Sequence, residues 1–134
     1  WVVRSVQRKL DNERILKDYL ANELIDLRSE VRTFIEKLIS SDIKANSIKR
    51  EHQLLSIRMK DLLDVMNKKF NIDKKYLKVY RQNLLKIVEE DASYQDYSQK
   101  DVMIALSQNT IDKLHDIRTK NDHLFNDILM KLYE

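Results

Sequence analysis

Neither glycine nor proline occurs anywhere in this chain of 134 residues. Average usage would supply roughly nine glycines and six or seven prolines at this length. Their absence removes phosphate-cradling glycine loops, type I′ and II′ hairpins and glycine helix caps. What remains is a chain that can run in long helices joined by short polar turns.

Apolar spacing says the same. Leu20, Leu24, Leu27, Val31, Phe34 and Leu38 alternate between intervals of four and three, which is an a/d seam. Leu16, Ile35 and Ile39 flank it and widen the apolar stripe to about 140°, more than a two-stranded coiled coil needs. The first helix is expected over about 2–40, weakening at Ser40-Ser41-Asp42, where the chain either turns or continues as helix. A second helix, 42–70, repeats the pattern through Ile48, His52, Leu55, Met59, Leu62 and Met66. Asp73 reads as the cap of a third, 74–91, with Tyr76, Leu77, Tyr80, Leu84, Ile87 and Val88 on one side. The stretch 91–99 reads as a loop, Glu89, Glu90 and Asp91 as a solvated, fraying helix end, and Ser98 with Asp101 as a capping box. A fourth helix is expected over 99–134, its seam running Leu114, Ile117, Asn121, Leu124 and Ile128. Ser107 and Thr110 fall where that seam extrapolates back, so the first half of this helix should pack loosely.

Short connections force antiparallel neighbours. The fold class expected is therefore all-α: an elongated, antiparallel, up-down four-helix bundle with coiled-coil-like packing. The length suits one domain.

The amino-terminal stretch departs from this plan. Taking Val31 as the centre of the first stripe, Val2, Val3, Val6 and Leu10 fall within about 80° of it. Glu13, however, sits at the stripe centre with Lys9 and Lys17 on either side, spaced to form a charged ladder. Charge where core should be predicts that packing stops near Leu16. Residues 1–15 become an amphipathic extension and 16–134 the bundle domain. Val2, Val3, Val6 and Leu10, with Arg4 and Arg8 for lipid headgroups and Trp1 for the bilayer interface, are the candidate contacts for a membrane surface or a partner helix, including a second copy.

Several chemistries are excluded or disfavoured. With no cysteine there is no disulfide, thiolate metal site or cysteine nucleophile. No apolar run is long enough to span a bilayer. Serines lack the strained turn and donor cluster of an oxyanion hole. His115 lies three residues after Asp112, but no second such pair completes a bundle metal site, so neither a metal nor a cofactor is expected. His52, on a seam, reads as a buried, hydrogen-bonded histidine with a pH-responsive role as the sharper alternative. Asn121 reads as a register-fixing polar residue that could bond to a tyrosine or to His52.

The net charge of +3 divides into a basic front and an acidic tail, too mild overall to imply a polyanionic partner. One stretch is locally basic: Lys68, Lys69, Lys74, Lys75, Lys78 and Arg81, interleaved with Phe70, Tyr76 and Tyr80. A single-strand binder needs cations and aromatic platforms on one surface. Helical phase instead puts Lys74, Lys78 and Arg81 on one side and the tyrosines opposite.

The functional expectation is a non-enzymatic helical interaction or scaffolding module, partnered by a protein or by itself through helical faces, with no small-molecule substrate. It is further expected to be the cytoplasmic soluble domain of a single-pass membrane protein. The alternatives are a nucleic-acid-binding module using residues 68–81 and a four-helix ligand-sensing domain.

Overall fold

A computed structural model describes residues 2–134. Trp1 and the side chain of Val2 lie outside the described residues. The described chain is all-helical: α1 Val2–Ile39, α2 Ala45–Phe70, α3 Lys78–Glu89, the short α4 Ala92–Tyr97, α5 Gln108–Asn121 and α6 His123–Leu132. Asp122 between the last two keeps helical dihedrals (φ −60°, ψ −32°), so α5 and α6 form one helix with a one-residue irregularity.

Lacking glycine, the chain reverses direction by forcing other residues into the left-handed region. Ser41 (φ 59°) ends α1, and the Asp42 N–H returns to the Lys37 carbonyl at 2.9 Å. The Ser-Ser-Asp stretch is therefore a true break, and α2 begins at Ala45 instead of 42. Asn71 (φ 56°) ends α2, where the Asn67 amide donates to the Ile72 carbonyl at 3.0 Å. Asparagine tolerates this conformation, whereas serine adopts it at a cost.

α1 packs against α2 and against α5–α6, and α3 packs against α2 and α5. Side-chain pairs give the directions. Lys37 meets Glu51, Arg58 bridges Glu23 and Glu30, and Lys17 lies over the Phe70 ring at 5.2 Å, so α1 and α2 are antiparallel. Arg32 to Asp122, Arg28 to Asn126 and Tyr133 to Asp18 make α1 and α6 antiparallel too. The core between them is continuous, from Leu20, Leu24 and Leu27 through Ile48, Leu63 and Met66 to Leu84, Leu114, Phe125 and Ile128.

The last third of the chain departs most from expectation. The loop expected at 91–99 contains α4, and the irregular connection lies at 98–107, so the final helix starts at Gln108 instead of 99. The physical reason is Asp91. Its carboxylate is buried and caps α4 by accepting the Tyr94 N–H at 3.1 Å, so this end is pinned instead of solvated and frayed. Ser98 and Asp101 form no capping box. Asp101 pairs with Lys44 at 2.8 Å, and the working cap of α5 is Ser107, which accepts the Thr110 N–H at 3.3 Å. Thr110 and Leu114 are buried, so the first half of this helix is not loosely packed.

The connection itself does structural work. Lys100 and Val102 give their carbonyls to the N–H groups of Asn46 and Ala45, at 3.1 and 2.8 Å. The Ile104 N–H donates back to the Ile43 carbonyl, forming an isolated antiparallel bridge between Lys44 and Met103. Lys44 offers no side-chain cap to α2, and these carbonyls take its place. The third helix is also shorter than the 74–91 expected. Asp73 accepts the Lys75 N–H at 2.9 Å in a local turn, and regular helix begins only at Lys78.

Candidate functional site

Every described side chain from Val3 to Ile15 is exposed, and the first fully buried residue of α1 is Leu20. Val3, Val6 and Leu10 are 75, 55 and 60% exposed although they continue the phase of the buried stripe. Among the described residues nothing covers them: α2 ends at Phe70, beside Lys17, and Tyr133, just past α6, donates its hydroxyl to Asp18 at 2.6 Å. The 13 residues from Val3 to Ile15 amount to about 20 Å of helix.

This stretch has two unlike sides. Toward the end of α2 it borders a polar cleft of about 530 Å³ lined by Ser5, Arg8, Lys9, Asn12, Glu13 and Lys69, with Leu16 and Phe70 at its base. Val3, Val6 and Leu10 line no part of that cleft. Arg4 is exposed beside them in sequence. The Lys9–Glu13–Lys17 ladder does not form among the described residues. No ion pair joins these three, and Lys17 is taken by the Phe70 ring.

The basic stretch 68–81 is divided by the fold. Lys74, Lys75, Lys78 and Arg81 line one groove of about 370 Å³ together with Lys60 and Asp64 of α2, over Met59, Leu63 and Leu77. Lys69 faces the other cleft, beside Arg8 and Lys9, and Lys68 lines neither. The aromatics are elsewhere: Tyr80 is buried edge-on to Phe125, Phe70 lies under Lys17, and Tyr76 packs half-buried against the core. Burial pushes the Tyr80 hydroxyl up to about 12. Lys60 and Asp64 had no signal in the sequence, because they belong to a helix separated from 74–81 by a turn and meet it only through packing.

His52 is a buried strut. Its Nε2 donates to the Arg81 carbonyl at 2.6 Å, tying α2 to α3 just behind the basic groove, and its ring lies 6.3 Å from that of Phe34. Desolvation by burial lowers its pKa below the ordinary 6.5, outweighing the hydrogen bond to Arg81 that acts in the other direction. Asn121 reaches neither His52 nor a tyrosine. Its amide turns back on its own helix to the Ile117 carbonyl, at 2.8 Å.

Between α1 and α2 a cleft of about 280 Å³ is lined by Ser29, Thr33, Phe34, Lys37, Glu51 and Leu54, among others. Lys37 holds Oε1 of Glu51 at 3.4 Å, while the buried Oε2 has no hydrogen-bond partner among the described residues. No group of three or more histidine, aspartate or glutamate side chains converges as a metal site among the described residues. His115 instead sits 3.5 Å from Arg118, and His123 sits 3.7 Å from Asp127. None of the described helices is long and apolar enough to cross a membrane.

No protein-family model matches this chain, and no curated protein or solved structure matches it either.

Proposed function

We propose that this chain is a non-enzymatic helical interaction module. Residues 16–134 form an antiparallel four-helix bundle with coiled-coil-like packing, and residues 1–15 form an amphipathic extension that makes the contact. The observation that carries this reading is the uncovered apolar stripe of Val3, Val6 and Leu10, on a helix that continues past the ends of α2 and α6. Three apolar side chains held in core phase and left uncovered by the described residues leave free energy to be gained by a partner, at roughly 25 cal/mol per Å² covered.

Arg4, Arg8 and Lys9 share this segment with no acid before Asp11. Apolar side chains with adjacent cations suit the interface of an anionic bilayer, where a short amphipathic helix is held by both terms. The partner proposed is therefore a membrane surface on its cytoplasmic, anionic face.

Sedimentation of the full chain with phosphatidylserine-containing vesicles and with neutral phosphatidylcholine vesicles tests this. Binding is expected to the anionic vesicles and to be lost in Val6→Ser/Leu10→Ser, whose exposed positions leave the fold intact. No binding to either vesicle defeats the membrane reading and leaves the stripe to a protein partner. Self-association that the same double substitution abolishes would identify that partner as a second copy.

A further inference from the structure

We propose that the groove between α2 and residues 74–81 is a binding site for a compact anion carrying several phosphate groups. Five cations, Lys60, Lys74, Lys75, Lys78 and Arg81, surround this one concavity, and Asp64 is its only carboxylate. The resulting +4 exceeds the +3 of the entire chain, so a charge that is mild on average is concentrated at one place.

Five cations elsewhere are paired with carboxylates, Arg32 with Asp122, Lys37 with Glu51, Lys44 with Asp101, Arg58 with Glu23 and Glu30, and Lys120 with Asp116, so what sets the groove apart is five cations lining one concavity. None of the five groove cations has an ion-pair partner among the described residues. Like charges gathered without counter-charge repel, and a multivalent anion converts that repulsion into attraction.

The groove is also built to hold its shape. Met59, Leu63 and Leu77 beneath it are buried, and His52 fixes the Arg81 backbone through its carbonyl. A low-dielectric floor strengthens the field above it. Arg81 supplies a planar fork for phosphate oxygens, and the lysines supply point charges around it.

Volume and aromatic placement select the class of ligand. About 370 Å³ is at the small end for ligand sites and holds a few phosphate groups, not a folded partner. A nucleic-acid strand gains much of its affinity by stacking bases on aromatics beside the cations. No aromatic side chain lines this groove. The same chemistry reaches a protein either as a free phosphorylated molecule or as a phosphorylated lipid headgroup, and the experiment separates the two.

The probe is inorganic tripolyphosphate, titrated calorimetrically into the full chain at fixed ionic strength, with thermal unfolding followed in parallel. Saturable one-to-one binding that raises Tm is expected. Lys78→Gln/Arg81→Gln is expected to weaken it about tenfold, from one exposed and one half-buried charge each worth up to about 1 kcal/mol. Lys113→Gln, an exposed cation on α5, is expected to leave it unchanged.

Vesicles bearing polyphosphorylated inositol lipid form the second arm. Groove-dependent binding that tripolyphosphate displaces identifies a headgroup, whereas binding of the free anion alone identifies a soluble ligand. Either result upholds the site. No saturable binding of tripolyphosphate overturns it, as does equal weakening by Lys113→Gln. Affinity seen only for single-stranded oligonucleotides and growing with their length also overturns it, in favour of a strand-binding surface. Val6→Ser/Leu10→Ser is expected to leave tripolyphosphate binding unaltered, so this site stands or falls separately from the apolar stripe.

Discussion

Thr110 donates its hydroxyl to the Asp91 carboxylate at 2.6 Å, and both residues are buried. Oδ2 of Asp91 also accepts the Ser107 N–H at 3.0 Å, while Oδ1 takes the Tyr94 N–H. One carboxylate thus joins the end of α3, the start of α4 and the start of α5. Burial alone would raise its pKa. The bonds from Thr110, Ser107 and Tyr94 outweigh that and hold it below the ordinary 3.8. Thr110→Val should cost about 1–2 kcal/mol, because two partners of Asp91 survive. Asp91→Ala should cost about 3 kcal/mol or more, because three donors lose their acceptor together. Urea unfolding measures both, and equal losses would mean that Asp91 is not the hub of the cluster.

Acid should destabilise this protein in two stages. His52 has a lowered folded pKa, so below about 6.5 the unfolded chain binds more protons than the folded one, and stability falls as pH drops. The Asp91 contribution is complete above 3.8 and is lost as pH falls through its still lower folded value. Unfolding free energy measured from pH 8 to pH 3 should show the first decline. His52→Gln, which keeps a donor for the Arg81 carbonyl, should remove it. A pH profile unchanged by that substitution would assign the first stage to other groups.

Ser41→Gly should stabilise the fold by about 1 kcal/mol, since serine at φ 59° carries a steric cost that glycine avoids. Asn71→Gly should gain less, because asparagine tolerates the left-handed region. Thermal unfolding ranks the two variants, and destabilisation by Ser41→Gly would contradict the turn geometry.

Leu24→Ala and Leu10→Ala remove the same atoms from one helix. Leu24 is fully buried, so its truncation should cost about 2–5 kcal/mol. Leu10 is 60% exposed, and its truncation should cost less than about 0.5 kcal/mol. Comparable losses at the two positions would show that a partner or a second copy covers Leu10 in solution.

The helical part of the fold is legible because its apolar period is uninterrupted: the seam from Leu20 to Leu38 is the buried seam, and α2 ends at Phe70 as its pattern implies. Exposure of Val3, Val6 and Leu10 is foreshadowed by Glu13 at the stripe centre, although no ion pair forms the expected ladder among the described residues. Legibility ends where short-range signals compete. Ser98 with Asp101 mimics a helix start, while the effective caps are Asp91 and Ser107, which are tied together by the long-range bonds that the Ser107 N–H and the Thr110 hydroxyl give to Asp91. The pairing of Lys44 with Met103 has no local signature, since each side is a single residue in irregular chain. Of the basic stretch, helical phase correctly separates Lys74, Lys78 and Arg81 from the tyrosines. It could not supply Lys60 or divert Lys69.

The carbonyls that Lys100 and Val102 lend to the first turn of α2 reach back more than fifty positions along the chain. During synthesis, a ribosome that has released only the first two helices exposes a second helix whose opening amides still face water. Its final consolidation waits for translation of the connection at 98–107. Contacts of such sequence separation slow folding more than they affect final stability. Nascent chains halted before residue 100 should therefore be cleaved by protease at 41–46, and those extended past 107 should resist.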